Sequence, residues 1–162
     1  MPGYKGHLMG GIAVYGILFF IISTLVRPST IVAFEWCIFT LAGALFPDID
    51  VKSKGQKYFY FVVLLFFVVL LMHQRFEMLS CCSCIVISPM LVRHRGIFHS
   101  PRFIVITPLI GWILMSMVFP DLSQQLFFDT LFFIIGALSH LWLDFGPSQM
   151  IRRLFANSRS RY

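Results

Sequence analysis

The chain has 162 residues, of which 58% are apolar and only 12% charged, against about 25% charged in an ordinary soluble domain. A chain this short cannot hide so much apolar surface from water, which excludes a water-soluble globular domain, a disordered chain and a coiled coil. In so apolar a chain the net charge of +6 fits loops facing an anionic membrane leaflet, and no nucleic-acid partner is expected.

Six apolar stretches follow one another, each a candidate for a spanning helix of about 20 residues. They are residues 8–26, 31–46, 58–72, 78–92, 103–119 and 126–143. The separating loops are short and carry Pro, Gly or charge, as helix stops should. The third and fourth stretches hold 15 residues each, about 22 Å of helix against a hydrocarbon core of ~30 Å. They form either two short spans extended by snorkelling flanks such as Lys57 and Gln74, or a re-entrant hairpin. The expected fold is all-α, a polytopic membrane bundle of about six helices, with four spans plus a hairpin as the variant. Residues 1–150 form one membrane-embedded domain and residues 151–162 a basic polar tail that frays. The first stretch is too long for a signal-peptide core and lacks a small-x-small cleavage site, so it is retained. Cys37, Cys81, Cys82 and Cys84 read as small apolar packing residues.

Threading six helices sorts the cations by face. One face receives Lys5, Lys52, Lys54, Lys57, Arg93, Arg95, Arg102, Arg152, Arg153, Arg159 and Arg161; the other receives Arg27 and Arg75. Eleven against two places both termini in the cytoplasm by the positive-inside rule.

Four of the five histidines (His7, His94, His99 and His140) fall on that same face with Asp48, Asp50 and Asp144. Only His73 lies on the far side. Each residue taken singly has a plain reading: a polar terminus for His7, turn capping for Asp48 and Asp50, a basic loop for His94 and His99, and an i,i+4 pair for His140 and Asp144. Together they lie at the cytoplasmic ends of helices that a bundle brings within reach. His140 also sits about a turn inside a membrane helix, where a polar group is costly and usually paired or functional. Neutral imidazoles and carboxylates are ligands for zinc, manganese or iron, and seven of them suit two or more ions bridged by carboxylates. Neither a nucleophilic triad nor a Gly-rich phosphate loop can be read. Gly6, Gly10, Gly11, Gly43, Gly136 and Ala137 cluster beside these residues and allow close helix approach. Arg95 is either a phosphate-binding group or one more positive-inside charge. Glu35 and Asp129, near the opposite face, read as interfacial or paired groups or as marks of an ion path.

GHLMGG, LFPDID, HRGIFHS and SHLWLD, in this order and spacing, resemble the YdjM-like family of predicted membrane-bound metal-dependent hydrolases, some of whose members are described as LexA-regulated inner-membrane proteins. The resemblance covers residue 6 to about residue 147. It implies a helical fold distantly similar to zinc-dependent phospholipase C. It implies divalent metal ligands, for zinc or else manganese, at His7, Asp48, Asp50, His94, His99, His140 and Asp144. Two stretches depart from the family pattern: Val51 after the PDID element, and FGPSQMIRRLF after the last Asp.

The resulting expectation is a multi-pass inner-membrane hydrolase of a phosphoester, with a phospholipid or another phosphorylated compound as substrate. Asp48, Asp50, His94, His99 and Asp144 are its candidate catalytic residues, and Arg95 its substrate-binding residue. The alternatives are a divalent-metal transporter or channel, which needs ligands near the midplane and an exit, and a non-catalytic membrane protein whose metal fastens helix ends.

Overall fold

In the computed structural model residues 3–48, 54–72 and 99–155 are described, together with Gln74, Phe76, Leu79, Ser80 and Ser83. The described residues form five helices and no strand. They are α1 (Tyr4–Val26), α2 (Thr30–Leu45), α3 (Lys54–Met72), α4 (Pro101–Val118) and α5 (Ser123–Phe155). Single 3₁₀ turns, Phe46–Asp48 and Pro120–Leu122, follow α2 and precede α5. Among the described residues four stretches are long and apolar enough to cross a membrane: Tyr4–Val26, Thr30–Asp48, Pro101–Val118 and Pro120–Gly146.

Local chemistry sets the ends. Arg27 stops α1 in a left-handed conformation (φ 47°) and donates its N–H to the Ser23 carbonyl at 3.1 Å. Pro28 follows, and Ser29 caps α2 by accepting the Val32 N–H. Three residues between two helices force them to lie antiparallel and adjacent. Pro101 opens α4, where a missing N–H costs nothing. At the next corner Trp112 donates its indole N–H to the Ser123 carbonyl at 3.0 Å, and Ser123 bonds Ser116 at 3.0 Å. This corner ties α4 to α5.

Helix α5 is the hub, packed on α2, α4 and α1, while α3 lies against α2 and the Phe46–Asp48 turn. In a bilayer, lipid tails are as apolar as leucine, so close packing rather than the hydrophobic effect holds helices together. Packing is tightest where α2 crosses α5. A Cβ added to Gly43 would collide with the Phe133 carbonyl, and one added to Gly136 would collide with the Thr40 carbonyl. The crossing is reciprocal, each glycine receiving the other helix's backbone. Deeper in the bundle Trp36, 1% exposed, stacks on Phe132 at 4.8 Å and meets Phe128 at 5.1 Å. Phe19 closes on Trp36 edge-on at 6.5 Å, and the Tyr15 hydroxyl donates to the Ala33 carbonyl at 2.7 Å. The outer surface remains apolar: Phe20, Leu25, Ile31 and Met117 are each more than 70% exposed, as side chains facing lipid are.

The all-α membrane bundle is therefore as the sequence predicts, with shifts at three places. Helix α1 begins four residues earlier than the apolar run, which takes His7 into the helix. Helix α3 also begins four residues early, at Lys54, so it has 19 residues, about 28 Å, rather than the 15 that made it look short. The predicted tail is the third difference, since α5 continues through Phe155. The cause is a break rather than an end. Gly146 takes φ 72° and ψ 165°, which glycine adopts without strain, and Pro147 restarts the helix with its φ already set. Most of the fourth predicted stretch, residues 81–82 and 84–92, lies outside the described residues, as do Cys81, Cys82, Cys84, His73 and residues 156–162. Cys37 is free and half-buried.

Candidate metal centre

The amino end of α1, the carboxyl end of α2, the lead-in to α4 and the last turns of α5 before Gly146 meet at one end of the bundle. They bring together His7, Asp48, His99, His140 and Asp144. One ligand atom from each of Asp48, His99, His140 and Asp144 lies within 4.8 Å of all the others. His140 Nε2 faces Asp144 Oδ2 at 3.3 Å and Asp48 Oδ1 at 3.6 Å. The same Asp48 oxygen faces His99 Nε2 at 3.6 Å. The other Asp144 oxygen, Oδ1, faces His7 Nε2 at 3.5 Å, and the His7 ring stacks on His140 at 3.7 Å.

These separations are informative. Charge-assisted N–H···O bonds run about 2.7–2.9 Å, so the pairs are too far apart for strong direct bonds. Ligand arms of about 2.0–2.2 Å on a tetrahedral ion give ligand–ligand edges of about 3.3–3.6 Å. Within the Asp48, His99, His140 and Asp144 set the three nitrogen–oxygen separations of 3.3, 3.6 and 3.6 Å match such edges, and His7 stands at a similar 3.5 Å from the second Asp144 oxygen.

The His140 ring is oriented for the same purpose. Its Nδ1 stands 2.7 Å from the Ala44 carbonyl, which can only accept, so Nδ1 carries the proton and neutral His140 presents a bare Nε2 lone pair. A histidine ligand held through its other nitrogen by a carbonyl is the usual outer support of a metal site. Ala44 has this carbonyl to give because Pro47, three residues on, has no N–H to offer a 3₁₀ bond. His140 Nε2 and Asp144 Oδ1 are buried without a hydrogen-bond partner among the described residues. Such atoms are costly to leave bare, and a cation between them would satisfy both. The donor set, two imidazoles and two carboxylates, suits zinc or manganese. By these tests the residues fit a divalent ion.

Burial gives the site an inside and an outside. His140, His7 and Asp144 are 0%, 2% and 5% exposed, whereas His99 is 13% and Asp48 31%. Among the described residues the cluster is therefore most open on the Asp48 and His99 side.

Five of the seven sequence-predicted ligands thus meet at one place. Asp50 and His94, with Arg95, lie outside the described residues. Sequence reasoning missed the Ala44 carbonyl, whose only trace is the Pro47 that follows it. Glu35 and Asp129 are far from the cluster. Glu35 receives both hydrogen bonds of the Gln125 amide, at 3.0 and 2.9 Å. Asp129 is 4% exposed with one carboxylate oxygen unpartnered among the described residues.

Fold and site together define a polytopic α-helical membrane protein with a metal-competent His/Asp cluster at one end of its bundle. The model of the YdjM inner membrane protein family matches residues 1–155, and the chain belongs to that family. Comparison with curated proteins and with solved structures gives no match.

Proposed function

We propose that this inner-membrane protein is a metal-dependent hydrolase that cleaves a phosphoester at the cytoplasmic surface of the membrane. The observation that carries the reading is the set of four ligand atoms from Asp48, His99, His140 and Asp144, all within 4.8 Å of one another. Asp144 would serve two ions, with Oδ2 on the His140 side and Oδ1 on the His7 side, which supports a site for two or more. Asp50, two residues after Asp48, and His94, five residues before His99, would complete the second set. When bound, such ions polarise a phosphoryl oxygen and make water a nucleophile near neutral pH. Asp48, the most open ligand, would orient the attacking water, whose proton would pass to solvent. Arg95, four residues before His99, would hold the phosphate through its planar guanidinium. The excess of basic residues on this face supports the cytoplasmic orientation.

A transport reading would rest on Asp129, a buried carboxyl about 16 Å along α5 from His140. The Trp36, Phe132, Phe128 and Phe19 packing fills the interior at that level, and a cation path needs polar groups or water there. Candidate ligands clustered at one end of the bundle support a surface reaction instead.

The test uses detergent-purified wild type, Asp48→Ala, His140→Ala and, as a control, Ile113→Ala on the lipid-facing side of α4. Zinc and manganese are counted by elemental mass spectrometry, and hydrolysis is followed on an aryl phosphate and on a head-group-labelled phospholipid. Wild type and control should hold two or more ions per chain and turn over at least one probe. Both site variants should lose metal and turnover while remaining folded. Full turnover in either site variant would overturn the assignment.

A further inference from the structure

The cluster has an apolar neighbour. Helices α1, α2 and α3 enclose a groove of about 500 Å³, within the usual range for a small-molecule site. Its walls include Leu8, Ile38, Ala42, Phe59 and Val63, and Tyr4 and Tyr58 stand at the end nearest the cluster, their rings 6.4 Å apart. Leu8 follows His7 directly, and Leu45, which also lines the groove, lies three residues before Asp48. From Leu45 to Ile38 the groove runs seven residues along α2, about 10 Å into the bilayer.

Shape and chemistry select the occupant. The groove runs about 10 Å along α2 between three helices, and an extended hydrocarbon chain lies along such a slot. The lining is almost wholly apolar, so water has no polar partners there. Lys5 and Lys57, both exposed, are the chain neighbours of Tyr4 and Tyr58. The mouth thus has the polarity of a head-group layer, with tyrosine hydroxyls and cations above an apolar slot.

We propose that this groove holds the hydrocarbon tail of a phosphate-bearing membrane lipid whose head group reaches the His/Asp cluster. The substrate class is then a lipid phosphoester rather than a soluble one. This rests on the hydrolase reading for the reaction, but binding of the tail is measured separately from it.

The protein is placed in nanodiscs of galactosyldiacylglycerols, which carry no phosphate. These carry a trace of phosphatidic acid with a photoactivatable diazirine in its tail, or diacylglycerol with the same tail and no phosphate. After illumination, labelled peptides are mapped by mass spectrometry. The phosphatidic acid should label the walls around Ile38, Ala42 and Phe59 at least fivefold above exposed Ile110 and Leu114 of α4. The diacylglycerol should not show this preference, and Lys5→Ala with Lys57→Ala should weaken it. Ala42→Phe, or Val63→Phe from the opposite wall should the first not fold, should fill the slot and abolish the excess labelling with the metal content unchanged. Even labelling of all lipid-facing helices, or equal labelling by both probes, would overturn the proposal. Selective labelling by a protein that hydrolyses nothing would leave it standing and count against the hydrolase reading alone.

Discussion

The crossing of α2 and α5 can be loosened by one methyl group, and the site should report it. In Gly43→Ala the new Cβ meets the Phe133 carbonyl oxygen, its carbon and the Ala137 nitrogen. All three are backbone atoms within α5, so no side chain can turn aside. Restoring ordinary carbon–oxygen contact requires the helices to part by about 1 Å. Overpacking of this kind costs about 1–3 kcal/mol, offset by up to about 1 kcal/mol from replacing a glycine within a helix. The larger effect falls on the next residue. Ala44 holds His140 Nδ1 at 2.7 Å, and a further ~1 Å exceeds hydrogen-bond range. Losing such an outer support typically weakens metal binding about 10–100-fold. Gly136→Ala, which strikes the Thr40 carbonyl from the other helix, should behave alike. Gly16→Ala on α1, with open space at the new Cβ, is the control and should bind metal as wild type does. The assay is zinc competition against a chromogenic chelator, with thermal unfolding in the same detergent. Wild-type affinity in both Gly43→Ala and Gly136→Ala would refute the claim that this crossing positions His140.

Three further outcomes follow from the same geometry. His7→Ala should leave the Asp48, His99, His140 and Asp144 set intact and remove one ion per chain rather than all; loss of every ion by elemental analysis would show that the ions bind as a unit. Protons compete with metal for imidazole nitrogen and carboxylate oxygen, so affinity should fall as the pH is lowered from about 8 to about 5, and a flat profile in the chelator competition would argue that histidines are not ligands. Asp129→Leu removes a buried carboxylate oxygen with no partner among the described residues, so it should raise stability by about 1–3 kcal/mol with the metal content unchanged. A fall in the unfolding temperature would show that the carboxylate is satisfied in the membrane.

The class of fold is legible in the chain alone. Runs of apolar residues longer than a soluble core can use leave only membrane helices, because the bilayer offers the backbone no other way to satisfy its polar groups. Most helix ends were legible too, since Arg27-Pro28, Pro101 and Pro120 act locally. Where the apolar run and the helix disagreed, at Lys54, His7 and Arg152, the backbone continued into polar sequence that hydropathy does not count as helix. The ligand set was legible in part, as His and Asp at four helix ends of one predicted face. That His7, Asp48, His99, His140 and Asp144 meet depends on how closely α1, α2 and α5 approach, which packing alone sets. The glycines at positions 43 and 136 are visible in the sequence, but that each receives the other helix's carbonyl is not. The Ala44 carbonyl is a backbone atom that every residue possesses, and the groove beside the cluster is a space between three helices. Neither is a property of any local stretch of chain, so neither could be read before the helices were packed.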